Sequence, residues 1–124
     1  MGSNTFNAEP LKPSSNHQLI VMRGHPDRYK SLEASKQIEF TNESPVELTT
    51  RFSKKGHEQM LVVGGPHVAT SFLKEQVIDE LRLTFEPKIF GTGGNFVTYK
   101  KLDSNLRLIH CENVNEHGTL ILCH

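Results

Sequence analysis

The sequence predicts an α/β fold, a mostly parallel sheet flanked by helices with antiparallel strands at its C-terminal edge. Two short apolar runs without polar alternation, Leu19-Ile20-Val21-Met22 and Met60-Leu61-Val62-Val63, read as strands covered on both faces, as in a parallel sheet. Strands and helices alternate through residue 74, the order of βα units. Only strands are predicted beyond that point, and the last two are spaced to pair antiparallel.

Gly2-Ser3-Asn4-Thr5 reads as the cap and first turn of a short helix containing Phe6, with nothing before it to pack on. The prolines and small polar residues of 9–16 make a loop. The first apolar strand follows and ends at Arg23-Gly24-His25-Pro26. Ile38-Glu39-Phe40 is a short strand. Ser44-Pro45-Val46-Glu47 then supplies an N-cap, a proline at the first helical position and a glutamate at the third, a capping box. The helix it opens, with Val46, Leu48 and Phe52 as its apolar positions, should run to about Lys55 and stop at Gly56.

In "LVVGGPHVATSF", residues 61–72, a strand is followed by a glycine pair and a helix whose apolar stripe is Val68, Ala69, Phe72 and Leu73. Leu81, Leu83 and Phe85 alternate with charged and polar residues, so that strand should have one buried and one polar face. A glycine-rich loop, Gly91 to Asn95, precedes two strands, residues 106–111 and 119–123, joined by a turn around Asn113 to Gly118.

At 124 residues and 14.0 kDa the chain has the size of one domain, large enough to bury a core without disulfides or metal. The mean hydropathy of -0.44 and the absence of a membrane-length apolar run point to a soluble protein placed in the cytoplasm. Fourteen basic residues balance fourteen acidic ones, and no basic face suited to nucleic acid stands out. Cys111 and Cys123 lack metal or redox spacing and read as buried thiols. His110-Cys111 and Cys123-His124 each offer at most one ligand per strand face, so no metal is expected. No nucleophile elbow, Ser/His/Asp spacing or paired carboxylate cluster supports hydrolase chemistry.

Gly64 and Gly65 let the backbone approach a ligand closely, and the helix after them offers unpaired N–H groups to an anion. On the motif alone a tight turn with nothing bound is the plainer explanation of the pair. Ser3 and Thr5 supply hydroxyls at another helix start, and Arg23 supplies a guanidinium at a strand end suited to a further phosphate. In a parallel sheet all three places lie at the carboxyl ends of strands, where α/β proteins bind ligands. Thr84 stands on the polar side of its strand.

The segments "MGSNTF", "LKPSSNHQLIVMR" and "LVVGGPHVATSFLKEQVIDELRLTFEPKIFGTGGNF", in this order and spacing, resemble the dihydrofolate-reductase-like fold. Within it the chain resembles the reductase domain of riboflavin biosynthesis, which acts on 5-amino-6-(5-phosphoribosylamino)uracil. The resemblance implies an NADPH-dependent oxidoreductase that transfers hydride to a heterocyclic or sugar-derived substrate. Carried over by motif, Gly2, Ser3, Asn4 and Thr5 form one phosphate-binding turn and Gly64, Gly65, Pro66, His67 and Val68 the other. Arg23 becomes the 2′-phosphate contact and Thr84 a residue near the substrate; beside it, Glu86 is the other catalytic candidate, without a counterpart in the resemblance.

The family's domain begins before "MGSNTF", with a strand, a helix and a second strand that carry much of the substrate site. Either the chain is a fragment or mis-started reading frame, or another chain supplies those strands, or the activity is lost; the expectation is a single reductase domain over residues 1–124 without that first unit, whose apolar strand edges seek partners. A homodimer or a strand-exchanged oligomer follows, and so does an alternative function, a non-catalytic nucleotide-binding or self-associating remnant of the fold. Val63 also stands where these reductases commonly have a glutamate.

Overall fold

The structure, a computed structural model, describes residues 1–8, 17–24, 37–98 and 102–124. The predicted loop at 9–16 and the residues His25 and Pro26 lie outside the described residues. The elements in chain order are α1 (Ser3–Ala8), β1 (Leu19–Met22), β2 (Ile38–Thr41), α2 (Pro45–Lys54), α3 (Pro66–Lys74), β3 (Arg82–Phe85), β4 (His110–Asn113) and β5 (Leu120–Cys123).

The strands form two sheets. β1 and β2 pair in parallel, Leu19 opposite Ile38 through Met22 opposite Thr41. The far edge of β1 is occupied at its carboxyl end by Met1 and Gly2. The Met22 N–H donates to the Met1 carbonyl at 2.8 Å, and Gly2 makes a parallel bridge with Met22. β3, β5 and β4 make the second sheet in that order, antiparallel throughout. The expected class is present: parallel strands with helices in the first half, antiparallel strands at the C-terminal end.

Helix α2 begins as its sequence dictates. The Glu47 N–H donates to Ser44 Oγ at 3.3 Å and the Ser44 N–H to Glu47 Oε2 at 2.9 Å, a reciprocal cap of the kind that stabilises a helix by about 1 kcal/mol. The helix ends at Lys54, with Lys55 as C-cap and Gly56 at φ 85°. Leu48 and Phe52, four residues apart on one face, are buried, whereas Val46 is exposed. Two residues along a helix turn about 200°, which sets Val46 off the stripe it was expected to share. In α3 Val68 and Phe72 are buried. These four residues form the main core cluster, against which Ile20, Met22, Val62, Val77 and Ile78 pack. Helix α1 finds a packing surface after all. It lies against β1, and Phe6 meets Phe40 of β2 edge-to-face at 5.7 Å.

Arg51 of α2 ties the helix to β2 through two carboxylates, reaching Glu39 Oε1 at 2.5 Å and Glu43 Oε2 at 2.6 Å. The hydrogen bond from Arg51, aided by one from Thr41, holds the Glu43 carboxyl below its ordinary value of 4.5 against an opposing effect of burial. A carboxylate whose pKa falls on folding contributes stability above its unfolded value, and that contribution is lost as pH falls through the folded value. Stability should therefore decline as pH drops below about 4.5, by up to about 1 kcal/mol from this group because the network is partly exposed. Acid titration of urea midpoints in wild type and in Glu43→Gln measures it, and the variant should show the smaller decline.

Several expectations of burial fail together. Residues 60–63 form no strand: Leu61 is 86% exposed, and Met60 and Val63 are exposed as well. No strand among the described residues pairs with them, and apolar side chains stay buried in a sheet only when neighbours cover them. On the apolar side of β3 Leu81 and Leu83 are half-buried, but Phe85 is exposed. β4 starts only at His110, leaving Leu106, Leu108 and Ile109 exposed and outside it. Cys111 is exposed and Cys123 half-buried, so neither is the buried thiol expected. No helix of the described residues is long and apolar enough to cross a membrane.

A glycine cradle as candidate functional site

Gly2 and the Gly64-Gly65 pair, 62 residues apart in sequence, meet in space. A side-chain carbon placed on Gly64 would lie 3.9 Å from the Gly2 backbone nitrogen and 3.1 Å from Cβ of Val68. One placed on Gly2 would lie 3.0 Å from Cγ2 of Val68, and one on Gly65 would lie 3.3 Å from Thr5 Oγ1. Val68 thus fills the floor between the two turns, and any side chain larger than hydrogen at Gly2 or Gly64 would push against it.

Each turn opens a helix. The Phe6 N–H donates to the Gly2 carbonyl at 3.0 Å and the Ala69 N–H to the Gly65 carbonyl at 3.2 Å, making both glycines the last residues before a first turn. Gly65 is the N-cap of α3, Pro66 takes the first helical position, and no side chain caps the helix. Its remaining first-turn N–H groups are available to an outside acceptor. Ser3 and Asn4 stand beside them in the first turn of α1, and His67 is exposed in that of α3. The bridge between Gly2 and Met22 places Arg23, the residue after Met22, at the same end of the sheet. The Arg23 N–H donates to the Thr41 carbonyl at 2.7 Å, fixing its backbone there.

A buried residue supports the cradle from behind. Thr70 Oγ1 donates to the Pro66 carbonyl at 2.6 Å and accepts from the Thr98 N–H at 2.8 Å, joining the first turn of α3 to the segment after the glycine-rich loop. Sequence reasoning missed Thr70. The available signal was a threonine four residues after the helix-opening proline, inside an otherwise apolar stripe, where its hydroxyl can bond the i−4 carbonyl.

Ten of the twelve predicted site residues belong to this end of the first sheet. The other two do not. Thr84 is exposed on β3, and Glu86 accepts a hydrogen bond from Thr119 Oγ1 at 2.9 Å. Thr84 lies on β3 and Glu86 just after it, in the second sheet, whereas the cradle lies at the end of the first. An open groove of about 490 Å³ lies elsewhere, between the end of α3 and the second sheet, lined by residues such as Leu73, Ile78, Leu106 and His124.

What the arrangement can do chemically is hold an extended anion. It combines backbone N–H groups, the hydroxyls of Ser3 and Thr5, and a guanidinium at one end of a parallel sheet. Comparison with known proteins adds three findings. Residues 10–120 match the family model described as the RibD C-terminal domain. The Gly2 turn lies just outside that match. The chain is 29% identical over 84 residues to a Bacillus subtilis (strain 168) protein called uncharacterized protein YwjB. The aligned part covers 68% of this chain and 46% of that protein, so the chain spans about half the length of the curated relative it matches. A crystal structure of a Shewanella sp. PV-4 protein assigned to riboflavin biosynthesis superposes with a TM-score of 0.77, over 99% of this chain and 70% of that one. At 20% identity this is a likeness of fold.

Proposed function

The chain belongs to the RibD C-terminal domain family, and from that premise we propose that it binds NADPH across the glycine cradle and acts as a reductase of the riboflavin-biosynthesis type. The observation that supports this most is the meeting of Gly2 and Gly64 over Val68 at the openings of two helices, where a side chain on either glycine would crowd Val68. Two helix openings held together in this way bring backbone N–H groups to one place, which suits a ligand whose phosphates contact backbone directly. The N–H groups opening α3, with Ser3 and Thr5, hold the pyrophosphate. Arg23 pairs with the 2′-phosphate that distinguishes NADPH from NADH. Bound NADPH supplies the hydride, and the chain contributes orientation to a heterocyclic or sugar-derived substrate. Thr84 and Glu86 are the candidates for contact with that substrate. A soluble reductase of this kind belongs in the cytoplasm.

A second reading is favoured by one observation: β3, which carries Thr84, belongs to the second sheet, whereas the cradle lies at the end of the first. In that reading the chain binds the nucleotide without turnover. Titration calorimetry with NADPH and NADH tests the shared step. NADPH should bind at least tenfold more tightly than NADH, and Arg23→Ala should weaken NADPH about tenfold while sparing NADH. No binding of either at millimolar concentration would overturn both readings. Binding without oxidation of NADPH, when candidate pyrimidine substrates are added, would select the second.

A further inference from the structure

Among the described residues one buried side-chain nitrogen finds no hydrogen-bond partner, Nδ1 of His124. Buried polar atoms are nearly always paired by protein, water or ligand, so an orphan marks a place where a partner belongs. The register of the second sheet sets its surroundings. Leu81 and His124 exchange both backbone hydrogen bonds at 2.9 Å, and the pairing of β4 with β5, continued by one residue, puts Ile109 on the other side of His124. Directly opposed residues share a face of a sheet. Leu81, His124 and Ile109 are thus one row, and all three line the groove of about 490 Å³ at the end of α3.

That volume is in the range of small-molecule sites, and the groove's charge is uneven. Asp79, Glu80 and Asp103 line it against Arg107 alone. Glu80 is engaged by Arg82 at 2.5 Å, whereas neither Asp79 nor Asp103 forms an ion pair among the described residues. The groove also lies at the carboxyl-terminal end of α3, where the helix dipole favours a cation. It is separate from the cradle. Gly65 caps the opposite end of the same helix, and nine helical residues set the two ends about 13 Å apart.

The geometry points to this groove as a binding site for a small organic cation, a protonated primary amine on an aliphatic body. The aliphatic part lies against Leu73, Ile78 and Ile109, and the ammonium brings three donors for His124 Nδ1 and the carboxylates of Asp79 and Asp103. A neutral alcohol would meet the orphan nitrogen but leave both carboxylates uncompensated. A carboxylate ligand would be repelled by them. Nothing in this site depends on NADPH.

Amide chemical-shift titration of the labelled full chain with hexylamine, hexanoate and 1-hexanol tests it. Hexylamine should move the amides of Leu73, Ile78, Leu81, Ile109 and His124 saturably, with a Kd of about 1 mM or tighter, and leave Gly2 to Thr5 and Gly64 to Val68 still. Hexanoate and hexanol should bind at least about tenfold more weakly. His124→Phe should weaken hexylamine at least about tenfold while raising the thermal midpoint, because the unpaired nitrogen is gone. A change that only disrupted the sheet would lower affinity and midpoint together. If that variant fails to fold, Asp79→Asn combined with Asp103→Asn decides the matter, since both residues are exposed; it should cost hexylamine about tenfold and bring it level with hexanol. Hexanoate or hexanol binding as tightly as hexylamine, shifts scattered away from the groove, or none at about 10 mM amine would overturn the proposal. Hexylamine binding by a protein that binds no NADPH would leave it standing and remove the reductase reading instead.

Discussion

Phe72→Ala is expected to cost about 3–5 kcal/mol, enough to unfold much of the protein at room temperature. Phe72 is 2% exposed and, with Val21, is one of the two largest fully buried side chains. It joins Val68 of its own helix to Leu48 and Phe52 of α2, so its removal leaves a cavity where the two helices meet. The six buried hydrophobic residues among the described residues have little to collapse with, which keeps the cost high in that range. Urea denaturation followed by circular dichroism should show a large fall in midpoint, or no cooperative transition. A loss under 1 kcal/mol would mean that the helices are not held together by this contact.

Gly65→Asp should weaken NADPH binding at least about 100-fold while the fold is kept. Gly65 has φ of -71°, a conformation open to any residue, and the nearest atom to an added side chain is Thr5 Oγ1 at 3.3 Å. Aspartate is a favoured N-cap, so α3 should gain a few tenths of a kcal/mol. Its carboxylate would satisfy the same N–H groups that the proposal gives to phosphate and would repel the ligand's charge. Affinity and stability should thus move in opposite directions, which a merely destabilising change cannot produce. Calorimetric affinity beside a thermal melt separates the two. Unchanged affinity would put the cofactor elsewhere.

Much of the fold was legible because its signals are local. Ser44, Pro45 and Glu47 announce α2 by themselves, and Asn115 and Gly118 announce the hairpin turn, where the His117 and Thr119 N–H groups donate to Asn115 Oδ1 and Gly118 takes φ 86°. The failures have one physical origin. Residues 60–63, Phe85 and Leu106 to Ile109 are apolar, and apolarity predicts burial without saying which neighbour does the covering. The Gly64-Gly65 turn was legible because a glycine pair between an apolar run and a proline-led helix marks a tight turn. That Gly2 would face it could not be derived from spacing, since the meeting depends on Met1 and Gly2 lining the edge of β1. Arg51 bridging Glu39 and Glu43, and Thr70 bonding to Thr98, are long-range contacts of ordinary polar residues with no local mark.

Amide chemical-shift mapping of the uniformly labelled protein with NADPH tests the cradle most directly. Binding there should move the amides of Gly2 to Thr5, Gly64, Gly65, His67 and Val68 together, with Arg23 beside them, and leave β4 and β5 still. Shifts confined to the groove between α3 and the second sheet, or none at millimolar cofactor, would contradict the account.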